Sequence, residues 1–318
     1  MNLNQLKALC EIIDHGFSIS AASQSLFRTQ PSVSRHIQEL EKEIGLELFV
    51  RRRNKILDLT PGGQQVVAVA RRMIDDAKKI THIAGDLTDG AKGSFTIATT
   101  HTQARYTLPN VIQAFIKNYP NVTLDLRQGT PQQCYHLVAQ GKADIGICTN
   151  AQSIPEEVVI IPCYLLSRSV IVPPAHPLLK ERSLTLEKIA QFPIITYDQG
   201  YSARAIVDEA FASCGIAPSI VLSAIDADVS KTYVEAGIGI AILATIAFNA
   251  KRDKHLKIMD ARRLFPSSML GIVVRRNAYL RSYMTEFIRL FAPKLAKQDI
   301  EHILATGVPA RRRALEVI

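Results

Sequence analysis

The sequence predicts a helical head with a two-stranded wing, then one long helix, then a larger α/β body. Three observations carry that expectation. Three short amphipathic stretches fill the first 44 residues, and a basic hairpin pattern follows them. An apolar series spaced 4, 3, 4, 3, 4, 3 runs from Val66 to Leu87. From Lys92 onward, strand-like and helix-like stretches alternate, the pattern of an α/β fold with mostly parallel sheets.

The head is justified first. Leu3, Leu6, Leu9, Ile12 and Ile13 share one face of a first helix, which His15-Gly16 ends. Ser18 or Ser20 caps a second helix over 21–26. The short turn Phe27-Arg28-Thr29 leads to a third, with Pro31 expected at its first position, where a missing N–H costs nothing. Val33, Ile37, Leu40 and Ile44 form its apolar stripe. Gln30, Ser32, Ser34, Arg35 and Gln38 fall off that stripe. A helix that presents short donors and acceptors and one Arg near its N-terminus is equipped to read base edges in a major groove.

Leu48-Phe49 and Ile56-Leu57-Asp58-Leu59 flank the polar run Arg51-Arg52-Arg53-Asn54-Lys55. Together they read as a two-stranded wing whose basic tip suits backbone phosphates. The blander alternative is a three-helix domain with a solvated charge run. The order helix, helix, tight turn, helix, wing favours DNA.

The strings Ala21-Ala22-Ser23-Gln24-Ser25-Leu26, Gln30-Pro31-Ser32-Val33-Ser34, Ile37-Gln38-Glu39-Leu40-Glu41, Gly45-Leu46-Glu47-Leu48-Phe49-Val50-Arg51 and Leu59-Thr60-Pro61-Gly62-Gly63 resemble the N-terminal domain of LysR-type transcriptional regulators. The resemblance implies a winged helix-turn-helix over 1–60, with Ser32, Ser34 and Arg35 on the reading helix.

Thr60 is the expected N-cap of the long helix and Pro61 its first residue, while Asp89-Gly90 and Gly93 close it. Val66, Ala70, Met73, Ala77, Ile80, Ala84 and Leu87 keep a 3.5-residue period with three alanines on the seam, which favours close pairing with another helix. The resemblance says the same: the family dimerises through this linker, here 61–90. Two heads imply two half-sites in a roughly palindromic operator. A homodimer or homotetramer, double-stranded promoter DNA and RNA polymerase are the partners so implied.

The body follows. Strands are expected over 94–99, 122–127, 143–148, 158–161, 169–172, 194–197, 220–224, 240–243 and 270–274. Helices are expected over 105–119, 130–140, 186–191, 203–214, 228–236 and 282–291, the second opened by the capping-box pattern Thr130-Pro131-Gln132-Gln133. The resemblance extends here and implies a two-lobed, periplasmic-binding-protein-like effector domain with a small ligand between the lobes. Lobe I then spans 91–163 and 265–292, lobe II spans 164–264, and 293–318 is a tail. The crossovers are expected near Pro162-Cys163 and near Asp260 to Leu264.

Thr99-Thr100-His101-Thr102-Gln103 and Gln199-Gly200-Tyr201-Ser202 each follow a strand and open a helix, and Thr149 ends a third strand. Helix N-termini at strand ends attract anions, although such hydroxyls also serve as ordinary caps. The strings Thr99 to Tyr106, Leu108-Pro109-Asn110-Val111, Pro162-Cys163-Tyr164, Asp226-Ala227-Asp228-Val229, Lys231-Thr232-Tyr233-Val234 and Leu280-Arg281-Ser282-Tyr283-Met284 are more specific. They resemble the cysteine-regulon activators and sulfur-control relatives within the family. That resemblance implies effector binding by Thr100, Thr102, Gln103 and Thr149. Ser202 stands in place of the usual Thr, and Ala227 contributes through its backbone. Leu166 stands where those relatives usually have Trp, a departure that bears on pocket shape. The implied function is activation of sulfur-assimilation and cysteine-biosynthesis genes, with acetylserine, sulfate or a related sulfur anion as effector. Regulation of sulfonate or other sulfur-source genes through a different effector stays open beside it.

Composition bounds the rest. Residues 1–90 carry 12 basic and 11 acidic side chains, whereas 251–318 carry 15 and 6. The overall charge of +9 therefore sits at the C-terminal end, and DNA binding must rest on local placement, chiefly Arg35, Arg51 to Arg53 and Lys55. Arg311-Arg312-Arg313 reads as a solvated end or as a contact to DNA or a neighbouring subunit. Five widely spaced cysteines without a C-x-x-C suit a reducing cytoplasm. No signal peptide or membrane-length apolar run is read. No cofactor or metal site is expected. Gly237-Ile238-Gly239 lacks the third glycine of a dinucleotide loop, and Cys134 and His136 do not share a helix face. His101 has no acid or nucleophile beside it in sequence, so catalysis is not expected. A stand-alone anion-binding protein is the rival class.

Overall fold

The computed structural model describes residues 1–53, 55–88, 92–276, 278–307 and 314–318, with the side chains at 75, 78, 82 and 85–88 also outside the description. Asn54 at the wing tip, the Asp89-Gly90 stop, the Leu87 side chain on the seam and Arg311 to Arg313 thus lie outside the described residues. The chain forms two compact units, 1–88 and 89–318.

In the first unit, helices Leu3–Asp14, Ile19–Ser25 and Gln30–Ile44 precede the antiparallel strands Phe49–Arg52 and Lys55–Leu59, and Pro61–Thr88 is one helix. Asn2 caps the first helix in a capping box with Gln5, and Ser18 caps the second. Gln30 is the first residue of the third helix, so Pro31 is its second rather than its first, still where no intrahelical donor is needed. Leu6, Leu9, Ile12, Val33, Ile37, Leu40, Leu48 and Phe49 form one core. Ile44, expected on the buried stripe, is exposed on the last turn, before the left-handed Gly45.

The long helix begins against this core. Thr60 Oγ1 accepts from Gly63 N at 2.9 Å, and a Cβ on Gly63 would lie 2.1 Å from the Leu48 carbonyl oxygen, so only glycine fits there. Val67 and Ala70 are buried in the head's core. Farther along, Met73, Ile80 and Ile83 are exposed in the single chain.

The second unit has two mixed sheets. The six-stranded sheet runs in the order Glu316–Val317, Val158–Leu166, Ser268–Arg275, Ile145–Thr149, Gly93–Thr99, Val122–Gln128. The five-stranded sheet runs Lys257–Asp260, Arg168–Val172, Ile240–Ala244, Ile194–Tyr197, Ile220–Ala224. Each sheet is the centre of one lobe. The chain passes between them at Ser167 and again through 261–267. The first passage lies beyond Pro162-Cys163, because Tyr164 to Leu166 still pair with Ser268 to Leu270. Leu166 is buried in the core of the six-stranded lobe.

Three segments differ from the expectation. The helix expected over 105–119 is two helices, His101–Tyr106 and Leu108–Asn118. Pro109 has no N–H to continue the ladder across Thr107. The weakly patterned Lys257–Asp260 is an edge strand. The expected tail contains helix Lys297–Thr306, which buries Ile300 and Ile303, and strand Glu316–Val317, which lies parallel to Tyr164-Leu165. Gly237, set aside as a cofactor loop, has φ +76° and turns the chain after helix Ala227–Glu235.

Candidate nucleic-acid interface and effector cleft

Burying Val33, Ile37 and Leu40 leaves Gln30, Pro31, Arg35 and Gln38 exposed and Ser32 and Ser34 half-buried on the reading helix. Gln30 Nε2 donates to Ser20 Oγ at 3.2 Å, tying the start of the reading helix to the helix before it. Arg35 projects freely, with 79% of its side chain exposed, and donates through Nε to Glu39 Oε1 at 2.7 Å. That hydrogen bond holds the Glu39 carboxyl below its ordinary value. An exposed pair of this kind is weak, so the guanidinium is available to a base or phosphate at small cost.

The wing is tied to the same helix. Glu41 accepts from Leu48 N at 2.9 Å and from Arg51 Nη2 at 2.7 Å. Arg51 thus works partly as a strut, whereas Arg52 and Arg53 stand exposed, with Arg53 turning the hairpin at φ +48°. The basic run seen in sequence separates into one support, Arg51, and three exposed cations, Arg52, Arg53 and Lys55.

In the second unit the polar residues meet between the two sheets. Thr149 and Ser202, 53 positions apart, come from opposite lobes, and their hydroxyls lie 3.0 Å apart. Gln152 Nε2 donates to Gln199 O at 3.3 Å beside them. Thr100 occupies the N-cap position of helix His101–Tyr106 without capping it through its side chain, and it is buried, as are Thr102 and Gln103. Ala227 opens helix Ala227–Glu235 and is fully buried. The Tyr197 phenol is buried near Thr102 and makes no hydrogen bond of good geometry. Burial pushes its pKa up. Thr99, by contrast, is spent on the fold, donating to Ile147 O at 2.8 Å.

A charged network joins the lobes beside these hydroxyls. Asp228 accepts from Tyr106 Oη at 2.7 Å, and Arg105 Nε lies 2.6 Å from its carboxylate. His101 Nε2 stands 3.4 Å from Asp228 and 4.0 Å from Asp226. Lys231, buried to 6% exposure, donates to Tyr106 Oη, Ala247 O and Asp253 at 2.9 to 3.0 Å. Burial opposes the charge on Asp228, but Tyr106, Lys231 and Arg105 outweigh it and hold the carboxyl below its usual value. Burial likewise opposes the Lys231 charge, and the hydrogen bonds it donates to Tyr106 and Asp253 reverse the shift upward. The ligand atoms of His101, Asp226 and Asp228 lie within 4.8 Å of one another. Asp228 is already engaged by two cations and a phenol, which leaves a poor metal donor.

The sequence reading singles out Asp226 to Val229 and Lys231 to Val234 only as resembling strings. It misses this network because the pairs that join the lobes span over 120 positions. It also misses Arg168, which follows the first passage and is buried, donating to Pro266 O and, at 2.6 Å, to Ser268 Oγ beside the second passage. One guanidinium therefore holds both connections between the lobes. Burial lowers its pKa to about 10, which leaves it charged at neutral pH.

A winged helix-turn-helix head with a solvent-facing third helix, and a two-lobed α/β body whose hydroxyls meet between the lobes, are the architecture of a DNA-binding regulator with a small-molecule sensing domain. Residues 3–64 match the family model for the bacterial regulatory helix-turn-helix of the lysR family, and residues 88–296 match the LysR substrate binding domain. The chain belongs to the LysR family of transcriptional regulators. It is 41% identical to the HTH-type transcriptional regulator SsuR of Burkholderia cenocepacia, over 97% of this chain and all of that one. It is 40% identical to CysB of the same organism, over 96% and 97%, and 40% identical to cbl of Escherichia coli K12, over 95% of each. Among solved structures, the cofactor-binding domain of the Cbl transcriptional regulator is 41% identical, with TM-score 0.65 over 69% of this chain and 96% of that one. A full-length OxyR variant from Pseudomonas aeruginosa matches in fold, with TM-score 0.71 at 18% identity over 98% and 99%. The helix-turn-helix match sets aside the stand-alone binding protein.

Proposed function

We propose that this chain activates sulfur-assimilation and cysteine-biosynthesis genes in response to acetylserine, sulfate or a related sulfur anion held between the lobes. The observation that carries the reading is the Thr149–Ser202 contact across the lobes, with Thr100, Thr102 and Ala227 at helix N-termini nearby. Hydroxyls and backbone N–H groups converging there suit a small anion with several oxygens. The identity to CysB and cbl over almost the whole chain supports the same branch of the family.

In this reading Gln30, Pro31, Ser32, Ser34, Arg35 and Gln38 face the groove and Arg51 to Arg53 the phosphates. The exposed Met73, Ile80 and Ile83 of the long helix pair with a second copy in a dimer or tetramer. The effector shifts the balance between lobe arrangements by binding them unequally, and the promoter-bound protein then recruits RNA polymerase in the cytoplasm. The chain has no catalytic role. Among the described residues no helix is long and apolar enough to cross a membrane.

The test is mobility-shift binding to a cysteine-biosynthesis promoter, with and without acetylserine, sulfate and thiosulfate. A shift altered by one of these ligands supports the reading. Binding to the promoter that none of them alters sinks the effector assignment and leaves the DNA assignment standing.

A further inference from the structure

Beside the cleft, helix His101–Tyr106 of one lobe faces Asp226 and Asp228 of the other. The His101 imidazole lies between those carboxylates, with Nε2 3.4 Å from Asp228 and 4.0 Å from Asp226. Arg105 and Lys231 are the cations of the cluster, and Asp253 is its third carboxylate, 3.0 Å from Lys231. The Tyr106 phenol among them is kept neutral by burial. Three carboxylates against two cations leave one negative charge unbalanced while His101 is neutral. Other elements packed on this helix do not balance it. The turn Thr245–Ala247 has no titratable group, and helix Leu108–Asn118 has only Lys117, in its last turn. Strand Val122–Gln128 has Asp125 and Arg127, paired with each other at 3.0 Å.

The cluster borders the proposed effector position on both lobes. Thr100 and Thr102 flank His101 in the chain, and Ala227 lies between Asp226 and Asp228. A doubly charged anion held by those residues therefore meets unbalanced negative charge, little farther off than the screening length of about 8 Å. A proton taken up there relieves the repulsion. Asp228 is a poor acceptor for it, because Tyr106, Lys231 and Arg105 outweigh its burial and hold its carboxyl below the usual value. Arg105 and Lys231 already carry their protons. Imidazole is the side chain whose charge changes between about pH 5 and 8, and His101, with 34% of its side chain exposed, is open to protons from solvent. We propose that His101 couples anion binding to proton uptake, so that the cleft gains affinity for doubly charged sulfur anions as the medium turns acidic. The proton comes from the buffer, and both ring nitrogens of the imidazolium then donate. The inference rests on the cleft holding an anion.

The test is calorimetric titration of the full-length protein with sulfate and with thiosulfate from pH 6 to pH 8.5. Each titration is run in two buffers of different ionisation enthalpy, which counts the protons taken up. Both probes keep their two charges over that range, so any uptake belongs to the protein. The wild type is expected to take up a fraction of a proton approaching one, and its affinity to fall about three- to tenfold per pH unit above neutrality. His101→Gln is expected to bind more weakly at pH 6, with no proton uptake and a flat pH profile. His101→Lys carries its charge throughout, so it is expected to bind at pH 8 about as tightly as the wild type does at pH 6. Wild-type binding without proton uptake overturns the inference and leaves the anion reading of the cleft standing. Uptake that persists undiminished in His101→Gln also overturns it, by assigning the proton to another group. A wild type that binds neither probe at any pH overturns the anion reading and the inference with it.

Discussion

Arg35 in the head has 79% of its side chain in water, with one exposed carboxylate beside it. Lys231 in the body is 6% exposed and is held by a phenol, a carbonyl and a carboxylate. The head's reading residues stand on a single helix whose other face is packed, so their geometry precedes any partner. In the body, Thr149 meets Ser202 and Tyr106 meets Asp228 and Lys231 across the two lobes, and those contacts exist only while the lobes touch. The candidate reading surface is thus made by local structure, and the candidate sensing surface by long-range contacts between the lobes.

Four measurements break or sharpen that comparison. The largest effect is expected for Lys231→Met, which strands Asp253 and Asp228 without their buried cation. The body should lose about 3–5 kcal/mol in urea unfolding, while DNA affinity at low temperature stays near wild type. A loss below about 1 kcal/mol would mean that the network is solvated and not a joint between lobes. Next is Arg35→Ala, expected to cost roughly 1–3 kcal/mol on a specific duplex if the guanidinium reads a guanine. Equal loss on random duplex makes it a phosphate contact. Fold stability should barely change, because only the exposed Glu39 pair is lost.

Thr149→Val removes one hydroxyl from the lobe contact, worth about 1 kcal/mol. It should abolish the effector response in a reporter strain with DNA affinity intact, as should Thr100→Val. An unchanged response in either variant removes that residue from the cleft. The smallest effect is the pH dependence. The Asp228 carboxyl is held below its ordinary value of 3.8 in the folded protein. Its contribution is fully present above that value and is lost as pH falls through the lowered one. Urea midpoints from pH 6 down to pH 3 should therefore fall more for wild type than for Asp228→Asn; parallel curves would deny the carboxylate its role.

Legibility in the sequence follows the same divide. The head's stripe Val33, Ile37, Leu40 and the Ser18 cap are set by neighbours within a turn or two, and so they are readable. Strands 194–197 and 220–224 and helix 282–291 are equally plain, each apolar and bounded by turn residues. Strand Lys257–Asp260 has only two apolar residues between charged ends at a sheet edge and carries little signal. Helix Lys297–Thr306 has its signal in Ile300 and Ile303, obscured by the surrounding charge. In the candidate cleft the hydroxyl positions are visible as caps at strand ends. The charged partners Arg105, Tyr106, Asp228 and Lys231 are not, since each looks like a solvated helix residue until the opposite lobe is set against it.

The junction of the long helix with the head has a mechanical consequence. With Val67 and Ala70 locked into the packed interior and Gly63 pressed on the Leu48 carbonyl, there is no slack where the two meet. A twist applied at the far end of the rod arrives at the three-helix cluster as rigid rotation, with no loop to absorb it. Over 28 residues such a shaft is about 42 Å long. A few degrees of swing at the head then displace its far end by roughly 2 to 4 Å.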